Sequence, residues 1–160
     1  MKKTICLLAV AIAFTIGCSN VKKEDNLDLH KKNVEVAPQK KEYSTQKKLL
    51  EEHNSRRTNQ GLHPLILDDK LCEYAQNHAK TMSQKEKLYH SNISNMIGGE
   101  TSLVGENVAW GQENEKSVVE AWMWSPMHRW NILGTNYKKV GFGVSEDKDG
   151  RKYWCTVFTN

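Results

Sequence analysis

Ser125 and His128 lie three residues apart, a spacing that places a hydroxyl and an imidazole on one face of a helix. Such a pair could act as a nucleophile and its general base. However, no GxSxG nucleophile motif surrounds Ser125, and Pro126 follows it directly. Serine followed by proline is typical of a helix start, with serine as the N-cap. We therefore interpret Ser125 as a helix cap.

Cysteines are the second set of residues that could do chemistry. Of the 4 cysteines, Cys6 directly precedes an N-terminal apolar segment and Cys18 directly follows it, which leaves Cys72 and Cys155 as a pair. A disulfide between these two would close a long loop and stabilise the domain by roughly 2–4 kcal/mol. Two buried thiols that pack as small apolar side chains are the alternative. The sequence alone does not decide between them.

The N-terminus has the pattern of an export signal. Two lysines precede an apolar stretch, Leu7–Gly17, which is too short to span a membrane. Thr15-Ile16-Gly17-Cys18 is similar to a bacterial lipobox, although threonine stands where leucine is usual. We expect residues 1–17 to be a lipoprotein-type signal peptide. Lipid chains on Cys18 would then anchor the protein to a membrane outside the cytoplasm. Cleavage without lipidation, which would give a secreted protein, is the alternative.

Residues 18–43 combine mixed charges, a proline and scattered apolar residues, with no helix or strand period. We interpret them as a flexible charged tether, which leaves residues 44–160 for one folded domain. The formal net charge is only +4. A charge this close to neutral argues against nucleic-acid binding, which needs a basic stripe, and the acids of the tether nearly cancel its lysines. We expect a monomer that does not bind nucleic acid.

The domain is predicted to contain helices followed by a β-hairpin. The segments that fit helices are residues 44–59, 68–82, 117–124 and 125–133. Residues 139–145 and 151–159 alternate like strands, and Asp149-Gly150 between them is a strong hairpin signal. Residues 83–105 are a long irregular segment, of a kind that often carries function. This order of elements favours an α+β fold.

Five motifs occur in order along this domain. They are His53-Asn54 with Arg57 and Gly61, Leu71 with Ala75 and Ala79, His90-Ser91, Gly105-Glu106-Asn107-Val108-Ala109, and Trp122 with Ser125-Pro126, His128-Arg129 and Asn131-Ile132-Leu133. Together with the hairpin they resemble the CAP superfamily (cysteine-rich secretory proteins, antigen 5, pathogenesis-related 1), especially its bacterial SCP-domain branch. The resemblance covers about Gln46 to Phe158. It implies an α-β-α sandwich around a central antiparallel sheet of about three strands, with the third strand near Asn107–Gly111 or Leu62–Leu67.

The resemblance also implies a cleft lined by two histidines and two acids. The matching residues are His90, Glu106 and His128, whereas Ser125 stands at the second acid position. Trp124 and Trp130 flank the second histidine and would lie with Ser125 at the cleft rim.

Three kinds of chemistry are open to this set of side chains. Two imidazoles and a carboxylate could hold a divalent metal such as zinc, although their spacing contains no local metal motif. They could also exchange protons, or simply hydrogen-bond to one another and hold loops around the cleft.

Two functions are compatible with these expectations. The first is a binding module whose cleft holds a metal ion, a small apolar or lipid-like ligand, or a partner in the cell envelope; lipid binding by eukaryotic relatives permits the apolar ligand. The second is a metal-assisted hydrolase of extracytoplasmic peptide or cell-wall material. The missing second acid and the lack of a convincing nucleophile disfavour the hydrolase. A fold alone does not decide between them.

Overall fold

The computed structural model describes the backbone of residues 25–93 and 103–160, and side chains from residue 40 onward within those ranges. The predicted signal peptide and Cys18 lie outside the described residues. Among the helices that are described, none has the length and apolarity needed to cross a membrane.

The first helix, α1, is longer than predicted. It runs Asp25–Thr58 and so includes most of the segment that we predicted to be an irregular tether. That prediction relied on the absence of an apolar period, but lysine, glutamate and glutamine favour helix without forming an apolar face. The backbone of residues 25–43 is therefore helical, and the irregular conformation predicted for it is wrong.

Seven elements follow α1 in the described part of the chain. They are β1 (Ile66–Leu67), α2 (Asp69–Gln84), β2 (Val104–Trp110), α3 (Glu115–Trp124), α4 (Pro126–Ile132), β3 (Lys139–Glu146) and β4 (Lys152–Thr159). Asp68 caps α2 by accepting the backbone N–H groups of Lys70 and Leu71. Gly150, with φ of 77°, allows the tight turn between β3 and β4. Local capping and turn residues thus set the limits of these elements.

The strands form one sheet in the order β1-β3-β4-β2. β4 pairs antiparallel with both β2 and β3, and the two-residue strand β1 pairs parallel with β3. The predicted three-stranded antiparallel sheet is confirmed, with one short parallel strand added at its edge. Both segments suggested for the missing strand contribute, as β2 and β1.

α2 covers one face of the sheet through direct contact between main chains. A Cβ at Gly141 of β3 would run into the backbone of Leu71 and Cys72, and one at Gly143 would run into the backbone of Ala75. Only glycine at these two positions lets the helix lie so close to the strand.

The opposite face is covered by α1, α3 and α4 around large aromatic side chains. Trp122, Phe142, Trp154 and Phe158 are buried in this layer. A separate buried cluster lies between the sheet and α2. The three layers form an α-β-α sandwich, as the resemblance implied.

Buried polar residues fasten α1 to the end of α4. Arg57 donates to the carbonyls of His63 (2.9 Å), Ile132 (2.8 Å), Gly134 (2.8 Å) and Tyr137 (3.3 Å). Its guanidinium group is buried, and backbone carbonyls accept its hydrogen bonds.

His53 lies one turn earlier on α1 and is fully buried. Its Nδ1 donates to the Leu49 carbonyl at 2.7 Å, and its ring packs 4.9 Å from that of Phe142. Burial lowers the pKa of His53 to about 4. The ring is therefore neutral at physiological pH.

Cys72 and Cys155 are two free, buried thiols, so the disulfide is not formed. The Cys155 thiol is directed toward Glu106 Oε2, 3.9 Å away, whereas Cys72 lies in a pocket lined by Glu42 and Gln46 of α1. The two sulfurs thus have different surroundings. Burial raises the pKa of Cys72 to about 11 and that of Cys155 well above its ordinary value.

Candidate functional site

The irregular segment after α2 carries the first cleft histidine. This segment is tied back to α2 because His78 Nε2 donates to the Tyr89 carbonyl at 2.9 Å. Glu86 adopts a positive φ of 49° where the chain turns away from the helix. His90 directly follows Tyr89, and its side chain is 60% exposed. α2 therefore positions His90 while leaving its ring open to solvent.

Glu106 on β2 is the polar centre of the site, with a side chain only 5% exposed. Its Oε1 accepts from His90 Nδ1 at 2.9 Å and from the Ser91 backbone N–H at 2.9 Å. Its Oε2 accepts from the Ser91 hydroxyl and from the Cys155 thiol. Four donors therefore surround the carboxylate, about as many as its lone pairs accommodate.

His128 on α4 faces this group from the other side of the cleft. Asn107 Nδ2 donates to the His128 carbonyl at 3.0 Å, and Asn131 Nδ2 donates to Asn107 Oδ1 at 2.8 Å. Asn131 also contacts the Glu106 carbonyl, 3.1 Å away. This amide network ties α4 to β2 and sets the position of His128.

The two imidazoles meet across the cleft. The ring centroids of His90 and His128 are 6.4 Å apart, and the rings are inclined by 35°. Burial, and secondarily His90, lowers the pKa of His128 and favours its neutral form. Because Nδ1 of His90 is bound to Glu106, Nε2 is the nitrogen left for a ligand. The site thus presents two imidazoles and one carboxylate that is already occupied.

The chemistry of these donors fits a metal ion only through the histidines. Neutral imidazole is a preferred ligand of zinc, but Glu106 spends its lone pairs on protein donors. Among the described side chains, those of residues 40–93 and 103–160, no group of three His, Cys, Asp or Glu could hold a metal ion. Glu106 therefore orients His90, in the way carboxylates orient metal-binding histidines elsewhere.

Of the predicted rim residues, Trp124 and Ser125 lie where α3 meets α4, and Trp130 lies on α4. Ser125 occupies the N-cap position of α4 with Pro126 following, but its side chain makes no capping hydrogen bond. Trp124 is 88% exposed and Trp130 is 63% exposed. The helix start was thus correctly predicted, whereas the hydroxyl does not cap it.

A groove of about 510 Å³ runs beside α4 and was not predicted. Its lining is mainly apolar and includes Leu103, Trp130, Leu133 and Tyr137. Apart from Leu103, the lining comes from α4 and the residues that follow it, between Pro126 and Tyr137.

Several residues that shape the site were missed from sequence. Ser91 and Asn131 belong to the quoted motifs, so a signal existed, but their roles as donors were not inferred. Tyr74 donates to Ser91 Oγ at 2.6 Å, and its helix gave no signal of this. The burial of His78, which holds the segment before His90, was not inferred either.

This fold and this site define a class. Residues 50–158 match the model of the CAP domain, described as the cysteine-rich secretory protein family. The chain belongs to that family and is a CAP-domain protein of the SCP type.

The chain is also similar in sequence to individual proteins. The chain is 37% identical over 111 residues to the uncharacterized protein YkwD of Bacillus subtilis (strain 168), a match that covers 63% of this chain and 42% of YkwD. The chain matches less than half the length of the curated relatives.

Solved structures support the fold. An outer surface protein from Borrelia burgdorferi superposes with a TM-score of 0.63 at 24% identity, over 70% of this chain and 89% of that one. NaASP2, in a crystal structure with Zn²⁺, gives a TM-score of 0.55 at 17% identity, over 71% and 78%.

Proposed function

We propose that this protein is an exported binding module whose cleft binds a divalent metal ion, such as zinc, through His90 and His128. The observation that carries the proposal is the pair of imidazoles 6.4 Å apart, with Glu106 holding Nδ1 of His90. A carboxylate behind a histidine fixes the ring and its tautomer and raises its basicity as a ligand.

Two histidines leave coordination positions for water or for another molecule. A bound zinc ion would supply a Lewis-acidic point able to hold an anionic or carbonyl oxygen of an envelope partner. The exposed His90 ring makes this point accessible from solvent. The proposal is also supported by NaASP2, a protein with a similar fold, whose crystal structure was determined with Zn²⁺.

The hydrolase alternative has less support. Hydrolysis by a metal-activated water is faster when a free carboxylate base lies close to the metal. Glu106 accepts four donors, and Ser125 stands where the second acid of the family would be. A binding role needs neither group to be free.

Zinc titration of the full chain by calorimetry tests the proposal. We expect one zinc ion per chain in the wild type and an affinity more than about tenfold lower in His128→Ala. His63→Ala is the matched control, because its ring is exposed in a loop away from the cleft. Equal zinc affinity in all three proteins would refute the proposal.

A second binding function is supported by the groove beside α4. Its mainly apolar lining and volume of about 510 Å³ suit a small apolar or lipid-like ligand. A fluorescent fatty acid should bind the full chain and bind Trp130→Ala less tightly. The control is Trp110→Ala, since Trp110 stacks on Arg151 elsewhere. Equal binding by both variants would exclude the groove.

The site of action follows from the N-terminal pattern. The lipobox-like residues before Cys18 and the surface location named for the Borrelia relative support an extracytoplasmic, lipid-anchored protein. Mass spectrometry of the mature N-terminus should find a diacylated Cys18. Expression of Cys18→Ser should release the protein from the membrane fraction, and an unmodified mature N-terminus would contradict the anchor.

A further inference from the structure

We infer that Ser91 and Tyr74 are positioning residues that fix the tautomer of His90 by locking the Glu106 carboxylate. The inference deepens the proposed function, and its consequence for metal affinity rests on that function. Its structural part, the tautomer of His90, stands without a metal.

Ser91 holds both oxygens of Glu106. Its backbone N–H donates to Oε1 at 2.9 Å, and its hydroxyl donates to Oε2. Two contacts from one residue fix both the position of the carboxylate and its rotation. Oε1 is then left facing His90 Nδ1, which lies 2.9 Å away.

Tyr74 fixes the direction of this chain of hydrogen bonds. Its phenol lies 2.6 Å from Ser91 Oγ and donates to it. A serine hydroxyl has one proton, so the oxygen that accepts from Tyr74 directs its own proton to Glu106. The two hydroxyls and the carboxylate therefore have a single consistent arrangement.

The tautomer of His90 follows from the accepting character of Glu106. An ionised carboxylate only accepts, so Nδ1 must carry the proton when the two are hydrogen-bonded. Nε2 then keeps its lone pair on the side away from Glu106. If the carboxylate could turn, this bond would be intermittent and the other tautomer would be populated.

The chain of contacts also joins three parts of the fold. Tyr74 lies on α2, Ser91 on the segment after it, and Glu106 on β2. α2 is itself seated on β3 by main-chain contact at Gly141 and Gly143. The position of His90 is therefore fixed relative to α2 and the central sheet.

Nitrogen NMR of the full chain without metal, at a pH where His90 is neutral, measures the tautomer directly. We expect His90 of the wild type to be protonated at Nδ1. Ser91→Ala should show both tautomers, and Ser91→Thr, which keeps the hydroxyl, should restore the single form. Tyr74→Phe should give an intermediate result.

Zinc titration of the same proteins gives the second measurement. Ser91→Ala should bind zinc about tenfold more weakly, and Tyr74→Phe roughly threefold more weakly. Ser83→Ala is the matched control, because it removes a comparable bond from the Ser83 hydroxyl to Ser145 (2.8 Å) away from the cleft. We expect no change in either measurement for this control.

The outcomes separate the two proposals. A single Nδ1-protonated form of His90 in Ser91→Ala would overturn the positioning role, whatever the metal does. Wild-type protein with the expected tautomer but no zinc binding would uphold the positioning role and overturn the proposed function. Failure of Ser91→Thr to restore the tautomer would also count against the hydroxyl as the cause.

Discussion

Two groups of polar residues in this protein contain histidine, and they differ in the partners of their side chains. On α1, His53 and Arg57 are buried, and their bonds end on backbone carbonyls. In the cleft, His90 and His128 keep ring atoms that face each other and solvent.

The difference separates a structural role from a binding role. A side chain that satisfies backbone groups inside the core contributes to the free energy of unfolding. A side chain that keeps a polar atom without a protein partner at the surface contributes little to the free energy of unfolding. That atom can bind a ligand instead. The hydrogen-bond partners of a histidine therefore indicate whether its role is structural or binding. Glu106 stands between the two groups, since it is buried like Arg57 but serves the cleft.

The largest expected effect is that of Arg57. Replacement by methionine keeps the stem but leaves four carbonyls without a donor, and we expect the free energy of unfolding to fall by about 3–5 kcal/mol. Urea unfolding measures this. Arg56→Met is the neighbouring control, because Arg56 forms only partly exposed ion pairs with Glu52 and Glu120 and should cost less than about 1 kcal/mol. Equal losses of unfolding free energy in Arg57→Met and Arg56→Met would contradict the structural role of the buried group on α1.

His53 should make stability depend on pH. Its pKa is about 4 in the folded protein and 6.5 ordinarily, so the unfolded chain takes up the proton first as the pH falls. Stability is therefore full above pH 6.5 and is lost as the pH drops toward 4, by on the order of 3 kcal/mol. Urea unfolding at several pH values should show this loss reduced in His53→Phe. An unchanged pH dependence would contradict the buried neutral ring.

Glu106→Gln should affect both properties. The amide group brings donors to a position where four donors already point, so we expect a loss of about 2 kcal/mol in stability and weaker zinc binding. Glu73→Gln, on the exposed side of α2, should change neither. If Glu106→Gln weakened zinc binding without lowering stability, the carboxylate would have a binding role only and no role in stabilising the fold.

The smallest effect on stability is expected for His128→Ala. Its ring is half-buried and its partner across the cleft is the exposed ring of His90, so the loss should stay below about 1 kcal/mol. Thermal unfolding of the wild type and of His128→Ala, measured on the samples used for the zinc titration, tests this prediction. A larger loss would group His128 with His53, as a histidine that holds the core together.

Much of the fold could be predicted because local signals mark it. Asp68 marks the start of α2, Pro126 marks α4, and Asp149-Gly150 marks the hairpin between the last two strands. The start of α1 at Asp25 could not be predicted in this way. Its first turns lack an apolar face, and helix propensity alone is a weak signal.

The site could be predicted only in part. Resemblance to a family indicated His90, Glu106 and His128, and the structure brings them into one cleft. That Glu106 is occupied depends on Ser91 and Cys155, which approach it from different elements. Such convergence is a property of the tertiary structure and leaves no local spacing to detect.

The glycines of β3 also bear on how this sequence can diverge. Because Gly141 and Gly143 let α2 rest on backbone, the seat of that helix depends on atoms that every amino acid shares. Outward-facing residues of α2 can therefore change over generations without moving the loop beyond it, while any side chain acquired by either glycine would displace helix and loop together.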